Sequence, residues 1–201
     1  MTGNNPTSLN QFVKRLNNMF ALKDMGDLHH FLGIKVKRDA TGMYLTQASY
    51  IENLLKKTDM VNTRPCPTLA IVGNKFVIFD GDPLDNPTHY RSIIGALQYL
   101  KNTRPDIAFI VNKLTQFLQA PTTTHWQGLK RVMRYLKGTK DLGLHIRYCE
   151  HLSLQGFSDA DYANKRDDRP STVGYCVFLG DSLVTWSSKK QNVVFRSSAE
   201  S

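Results

Sequence analysis

Apolar residues in "SLNQFVKRLNNMF" fall at Leu9, Phe12, Val13, Leu16 and Phe20, the three-and-four spacing of one helical face, with Ser8 as the expected cap. The period then shortens. "HFLGIKVKRDATGMYLTQ" alternates, with Leu32, Ile34 and Val36 on one parity and Phe31, Gly33 and Lys35 on the other. Asp39 to Gly42 supply turn residues before "MYLT", which predicts a β-hairpin. "ASYIENLLKKTDM" returns to helical spacing, Ile51, Leu54 and Leu55 facing inward and Lys56 and Lys57 in the last turn, where the helix dipole favours cations. Residues 61–87 are rich in Pro, Gly, Asn and Asp without a sustained period and read as an extended connector, with one short strand expected at 75–79.

Three helices follow. The first repeats apolar residues at Tyr90, Ile93, Ile94, Leu97 and Leu100. The second, "RPDIAFIVNKLTQFLQ", carries Pro105 in its first turn, where a missing N–H costs nothing, and the third runs from a Thr cap after Pro121 to Gly138 at the expected C′ position. From Leu142 the period is two: "LGLHIRY", "LSLQGFSDAD", "STVGYCVFLG", "LVTWSS" and "NVVFRSS" read as short strands split by turns. A boundary at 138–142 therefore separates an α-rich half from a β half, and the fold class is α+β, with no internal repeat.

Composition adds a direction. Among 201 residues, 26 Lys+Arg against 17 Asp+Glu give a formal net charge of +9, so polyanions are the natural partners and nucleic acid the first of them. The longest apolar run, "IAFIV", is far short of a bilayer span, and no charged n-region precedes an apolar segment at the start, so the expectation is a soluble intracellular protein without a membrane partner. Cys66, Cys149 and Cys176 are too widely spaced for a zinc motif and read as free thiols.

The basic residues cluster. On the third helix Lys130, Arg131, Arg134 and Lys137 sit at i, i+3 and i+4 spacings beside Trp126 and Tyr135, a candidate phosphate-tracking face whose bland alternative is a solvated helix surface. In "GFSDADYANKRDDRPSTVGYCVFLG" Asp159 and Asp161 stand two residues apart, on one side of a strand, where a cation would offset their repulsion. Alone, such a pair is a weak metal signal. His29-His30 lacks HExxH context, Trp186 lies within an apolar strand and reads as core, and Arg104-Pro105-Asp106 reads as a helix-start device.

Taken together, "FALKDMGDLHHFLGIKV", "YRSIIGALQYLKNTRPDIAFIVN", "HWQGLKRVMRYLKGT", "GFSDADYANKRDDRPSTVGYCVFLG" and "WSSKKQNVVFRSSAE" resemble, in order and nearly end to end, the Pol polyprotein of copia-type LTR retrotransposons. The resemblance implies the downstream part of a reverse transcriptase followed by the opening antiparallel strands of an RNase H-like sheet. Residues 1–60 would end the palm with a primer-grip-like hairpin at Phe31, Leu32 and Gly33. Residues 61–87 would be a connector, 88–140 a helical thumb- and connection-like region, and 141–201 a truncated RNase H-like region. The family's polymerase motif, Tyr-x-Asp-Asp, would precede this chain, and its Ser-Ser-x-Glu-Ala-Glu-Tyr pattern breaks off at Glu200-Ser201, where Ser201 replaces the usual alanine.

Asp159 is then the one position that resembles a metal ligand, with Asp161 and Glu200 as motif neighbours. Mg2+ is the family's cofactor, and one carboxylate cannot hold two such ions in the geometry that phosphodiester chemistry requires. The leading expectation is a catalytically inactive Pol fragment with residual affinity for an RNA–DNA hybrid or other nucleic acid. The alternatives are a retained non-catalytic nucleic-acid-binding module and an RNase H-type nuclease completed in trans. The C-terminal apolar residues Val177, Leu179, Val184, Trp186 and Val194 would stay exposed for want of covering helices.

Overall fold

A computed structural model describes residues 5–21, 26–69, 76, 81–161 and 172–190, with the side chain of Asp161 excepted. The short strand expected at 75–79, apart from Phe76, and the strand "NVVFRSS", Val194 and Glu200 lie outside these residues.

Helix α1 spans Pro6–Met19 and starts three residues earlier than a Ser8 cap predicts, because Asn5 and not Ser8 is the cap: the Asn5 side chain accepts a hydrogen bond from the Ser8 N–H, and Pro6 takes the first turn. None of its residues is buried. Strands β1 (His30–Phe31), β2 (Ile34–Asp39) and β3 (Gly42–Thr46) follow as antiparallel neighbours. The hairpin has a second tight turn that alternation alone did not reveal. Phe31 pairs with Ile34, so Leu32-Gly33 is a two-residue loop, and both residues have positive φ, 47° and 77°, as a turn matched to strand twist demands.

Helix α2 (Ala48–Lys57) buries Ile51, Leu54 and Leu55 as predicted. So does α3 (Pro87–Leu100), with Tyr90, Ile93, Ile94, Leu97 and Leu100, capped by Asn86 ahead of Pro87. The second expected helix is divided: a 3-10 turn at Pro105–Ile107 leads into α4 (Ala108–Thr115). Helix α5 (Thr123–Gly138) starts at the Thr122 cap, whose N–H donates to His125 Nδ1 at 3.0 Å. At the other end Gly138 is the last helical residue and Thr139 the cap, so glycine is not the C′ residue. Its missing side chain lets Pro65 approach, since a Cβ there would meet Pro65 Cβ at 3.1 Å.

One core joins α2 to α5, with Leu97, Leu100, Val111, Leu114, Leu129, Val132 and Met133 all fully buried. Burying each such side chain is worth ~2 kcal/mol by area. Arg104 is buried in the same region, and its guanidinium donates to Asp106 Oδ1 and Oδ2 and to the Thr139 carbonyl and hydroxyl, tying the start of the 3-10 turn to the end of α5. The helix-start reading of Arg104-Pro105-Asp106 thus covers only part of what this arginine does.

The change of period near residue 140 does not divide the sheets as expected. β4 (Leu144–Arg147) returns to pair with β3, so the first sheet runs β1-β2-β3-β4 and spans sequence-distant segments. β5 (Leu154–Asp161), β6 (Thr172–Leu179) and β7 (Ser182–Lys190) form a separate antiparallel meander. The two sheets meet where the Arg147 N–H donates to the buried Ser182 hydroxyl at 2.8 Å. On the meander, Trp186 pairs with Cys176 and lies on the opposite face from Val177 and Leu179. Of the apolar residues expected to stay exposed, Val184 does, whereas Val177, Leu179 and Trp186 are half-buried.

Candidate nucleic-acid interface

The four basic residues expected to act together on α5 do not share one free face. Of the four, Lys130 alone is exposed, its ammonium 5.5 Å from the centre of the Trp126 ring. Lys137 donates through Nζ to the Thr63 carbonyl at 2.6 Å, and Arg131 donates to the Thr68 hydroxyl. The carbonyl of Arg134 accepts from the Cys66 N–H at 3.2 Å. Helix propensity and spacing set these residues on α5, but the connector at residues 63–68 packs across them. Three of the four therefore position that segment. The cationic surroundings also reach Cys66: its thiol is held below its usual range by hydrogen bonding with Thr68, against the opposing effect of burial, with help from Arg134 and Arg131.

The hairpin tip stands free. Phe31 is 58% and Leu32 67% exposed, Gly33 is half-buried, and the Tyr99 hydroxyl donates to the Leu32 carbonyl, fixing the loop against α3. His29 and His30 lead into this hairpin, with the His29 carbonyl accepting from the Val36 N–H.

Strand pairing creates a basic surface that no contiguous stretch of sequence displays. Alternation sends Val36, Leu45 and Leu144 to one face of the first sheet; on the other, Lys37 lies opposite Tyr44 and Tyr44 opposite His145, with Lys35 and Arg147 nearby on the same face. Lys35, Lys37 and Arg147 are exposed, and Tyr44 meets the His145 ring edge-on at 5.9 Å. Asp39, the carboxylate closest in register, is committed to the turn. It accepts from the Thr41 hydroxyl and N–H and from the Gly42 N–H, and these hydrogen bonds, the hydroxyl foremost, hold its carboxyl below the ordinary range. The alternation of "LHIR" already put His145 and Arg147 on one side; their neighbours Lys37 and Tyr44 could be named only from the β3–β4 register.

Asp159 is exposed on β5 opposite Gly174 and lines a cleft of about 420 Å³ with Phe109, Phe157 and Trp186. Among the described residues no group of three or more His, Cys, Asp or Glu lies close enough to hold a metal ion. Among the described lining residues of this cleft Asp159 is the one carboxylate, whereas a pair of Mg2+ ions needs several oxygen ligands. All three cysteines are free thiols, and among the described residues no helix is long and apolar enough to cross a membrane.

The family model for reverse transcriptase (RNA-dependent DNA polymerase) matches residues 1–72. Over 200 residues, the whole length of this chain, the sequence is 47% identical to the retrovirus-related Pol polyprotein from transposon RE1 of Arabidopsis thaliana and 45% identical to that from transposon RE2. The chain belongs to the copia-type Pol polyprotein family. It spans 14% of the length of each of these two polyproteins. An uncharacterized mitochondrial protein of the same plant is 42% identical over 201 residues, and the chain covers 83% of it. No solved structure matches this Pol segment.

Proposed function

We propose that this Pol segment binds nucleic acid, holding it as part of a reverse transcriptase and carrying no metal-dependent active site among its described residues. The observation that carries the reading is the polar face of the first sheet, where Lys35, Lys37 and Arg147 surround Tyr44 and His145 beside the exposed hairpin tip. Cations at strand spacing meet successive phosphates, and the aromatic pair offers ring faces and edges to sugars or bases. The net charge of +9 favours encounter with any polyanion, and the family's reverse transcriptases act on RNA and DNA. The β5-β6-β7 meander supports reading residues 154–190 as the opening strands of an RNase H-like sheet.

The test is fluorescence anisotropy with a labelled RNA–DNA hybrid over a salt series, comparing the chain with a Lys35→Gln/Lys37→Gln/Arg147→Gln variant. If all three residues meet phosphates, the slope of log affinity against log salt becomes shallower by about 2.7. A wild-type slope in the variant, or no salt-dependent binding by the chain itself, overturns the proposal.

A further inference from the structure

A second basic surface lies on the helices, away from the sheet face. Between the last turn of α2 and the start of α3 is a cleft of about 700 Å³ lined by Asn53, Lys56, Lys57, Thr88, His89 and Ser92 among others, with no carboxylate among its described lining residues. Both lysines and His89 are exposed. The lysines are where the sequence placed them, in the last turn of an amphipathic helix whose apolar face is buried, so their side chains must project outward.

From the cleft the surface continues onto α5. The His89 imidazole meets the Trp126 ring at 5.3 Å, inclined at 64°, and Lys130 stands over the same ring at 5.5 Å. Lysines, imidazole, indole and lysine thus succeed one another across α2, α3 and α5. This interleaving of cations with ring systems is the arrangement by which proteins hold unpaired strands, the cations following phosphates while bases stack on the rings. A duplex would leave the rings unused, because its bases are already stacked and their faces covered.

We infer that this cleft and the His89–Trp126–Lys130 ridge form a track for single-stranded nucleic acid, distinct from the sheet face. The proposal rests on the nucleic-acid reading above and assigns it a second path. A base stacking on Trp126 displaces the Lys130 ammonium from the ring and leaves it beside the phosphate of the same nucleotide. Lys56 and Lys57 take the phosphates that follow, and the Asn53 and Ser92 side chains line the way.

The probe is a 20-nucleotide oligo(dT), titrated into the chain over a salt series and, in parallel, into a Trp186→Phe variant in which Trp126 is the sole tryptophan. Binding should quench the fluorescence of that tryptophan. In Lys56→Gln/Lys57→Gln, two exposed substitutions that leave the core intact, affinity should fall roughly tenfold or more at low salt and the salt slope lessen by about 1.4. His89→Ala should weaken binding on the order of tenfold with the slope unchanged. If oligo(dT) binds with unaltered slope in the double lysine variant and no quenching of Trp126, while Lys35→Gln/Lys37→Gln/Arg147→Gln weakens it, the track is overturned and the sheet-face reading stands. No binding of either oligo(dT) or hybrid overturns both.

Discussion

Arg104 grips Asp106 through two parallel hydrogen bonds, of 2.9 Å from Nε and 2.7 Å from a terminal nitrogen, and a third residue, Tyr135, donates its hydroxyl to the same carboxylate at 2.9 Å. The arginine is 1% exposed, the carboxylate about a third. This cluster closes the helical half of the chain by joining the 3-10 turn to α5.

Removing Arg104 leaves Asp106 and the end of α5 without their shared donor. Arg104→Ala should lower unfolding free energy by about 3 kcal/mol, the low end for a broken buried pair because Asp106 retains some solvent, and urea denaturation measures it directly. Burial pushes the Asp106 carboxyl up, but the hydrogen bonds and charge of Arg104 outweigh it and hold it below the ordinary carboxylate range. A carboxyl depressed on folding stabilises above its unfolded value and loses that contribution as pH falls through its folded value. Thermal melts from pH 5 down should therefore show wild type approaching Asp106→Asn below about pH 4, and curves that stay parallel would contradict this.

Gly42 and Gly95 predict opposite outcomes for one substitution. Gly42 has φ of 147°, and a Cβ there would lie 2.2 Å from the Ile146 carbonyl, inside the β3–β4 pairing. Gly42→Ala should cost ~2 kcal/mol or more and loosen β4. Gly95 lies within α3 with open space where a Cβ would go, so Gly95→Ala should stabilise by ~0.5–1 kcal/mol. Calorimetric midpoints distinguish the two signs.

The turn at the hairpin tip carries a local cost. Leu32 occupies the left-handed region at φ 47°, which disfavours a side chain of its kind, whereas asparagine followed by glycine suits such a loop. Leu32→Asn should raise stability by about 1 kcal/mol, or 2–4 °C in Tm. An unchanged or lower Tm would mean that exposed Leu32 makes a compensating contact.

Lys137 tests the division of labour on α5. Its hydrogen bond to the Thr63 carbonyl makes it a support for the connector, so Lys137→Gln should reduce stability by about 1 kcal/mol while leaving the salt slope of hybrid binding unaltered. A shallower slope with unchanged stability would return Lys137 to the phosphate contacts.

Tyr90 is fully buried, and its hydroxyl donates to the Leu114 carbonyl at 2.8 Å, near the end of α4; burial alone raises its ionisation far above the ordinary range. Tyr90→Phe should cost about 1 kcal/mol by removing that hydrogen bond, since the carbonyl keeps its bond from the Phe117 N–H, with the transition followed by circular dichroism.

Much of the fold was legible because the helices obey a local rule. The apolar spacing of α2 and α3 named their buried residues correctly, since one face of a 3.6-residue period must meet the core wherever the partner helix lies. Alternation likewise placed β2 to β7. Misjudged were ends and partners: Asn5 for Ser8 as a cap, Gly138 inside its helix, the Leu32-Gly33 turn, and β4, which joins β3 across about a hundred residues of chain.

Charge shows the same division. The sequence by itself determined the +9 balance, the α+β class, the membership of the Pol family and the outward position of Lys56, Lys57 and Lys130, because composition, period and collinearity are carried by the chain in one dimension. Only the tertiary structure decided which cations are free. It joined Arg131, Arg134 and Lys137, each half-buried, to residues 63–68 by hydrogen bonds, and it assembled Lys35, Lys37, Tyr44, His145 and Arg147 on one sheet face. It also brought His89 to Trp126. The physical reason is that a side chain's exposure depends on what packs over it, and strand pairing and helix crossing join residues whose separation in sequence carries no periodic signal.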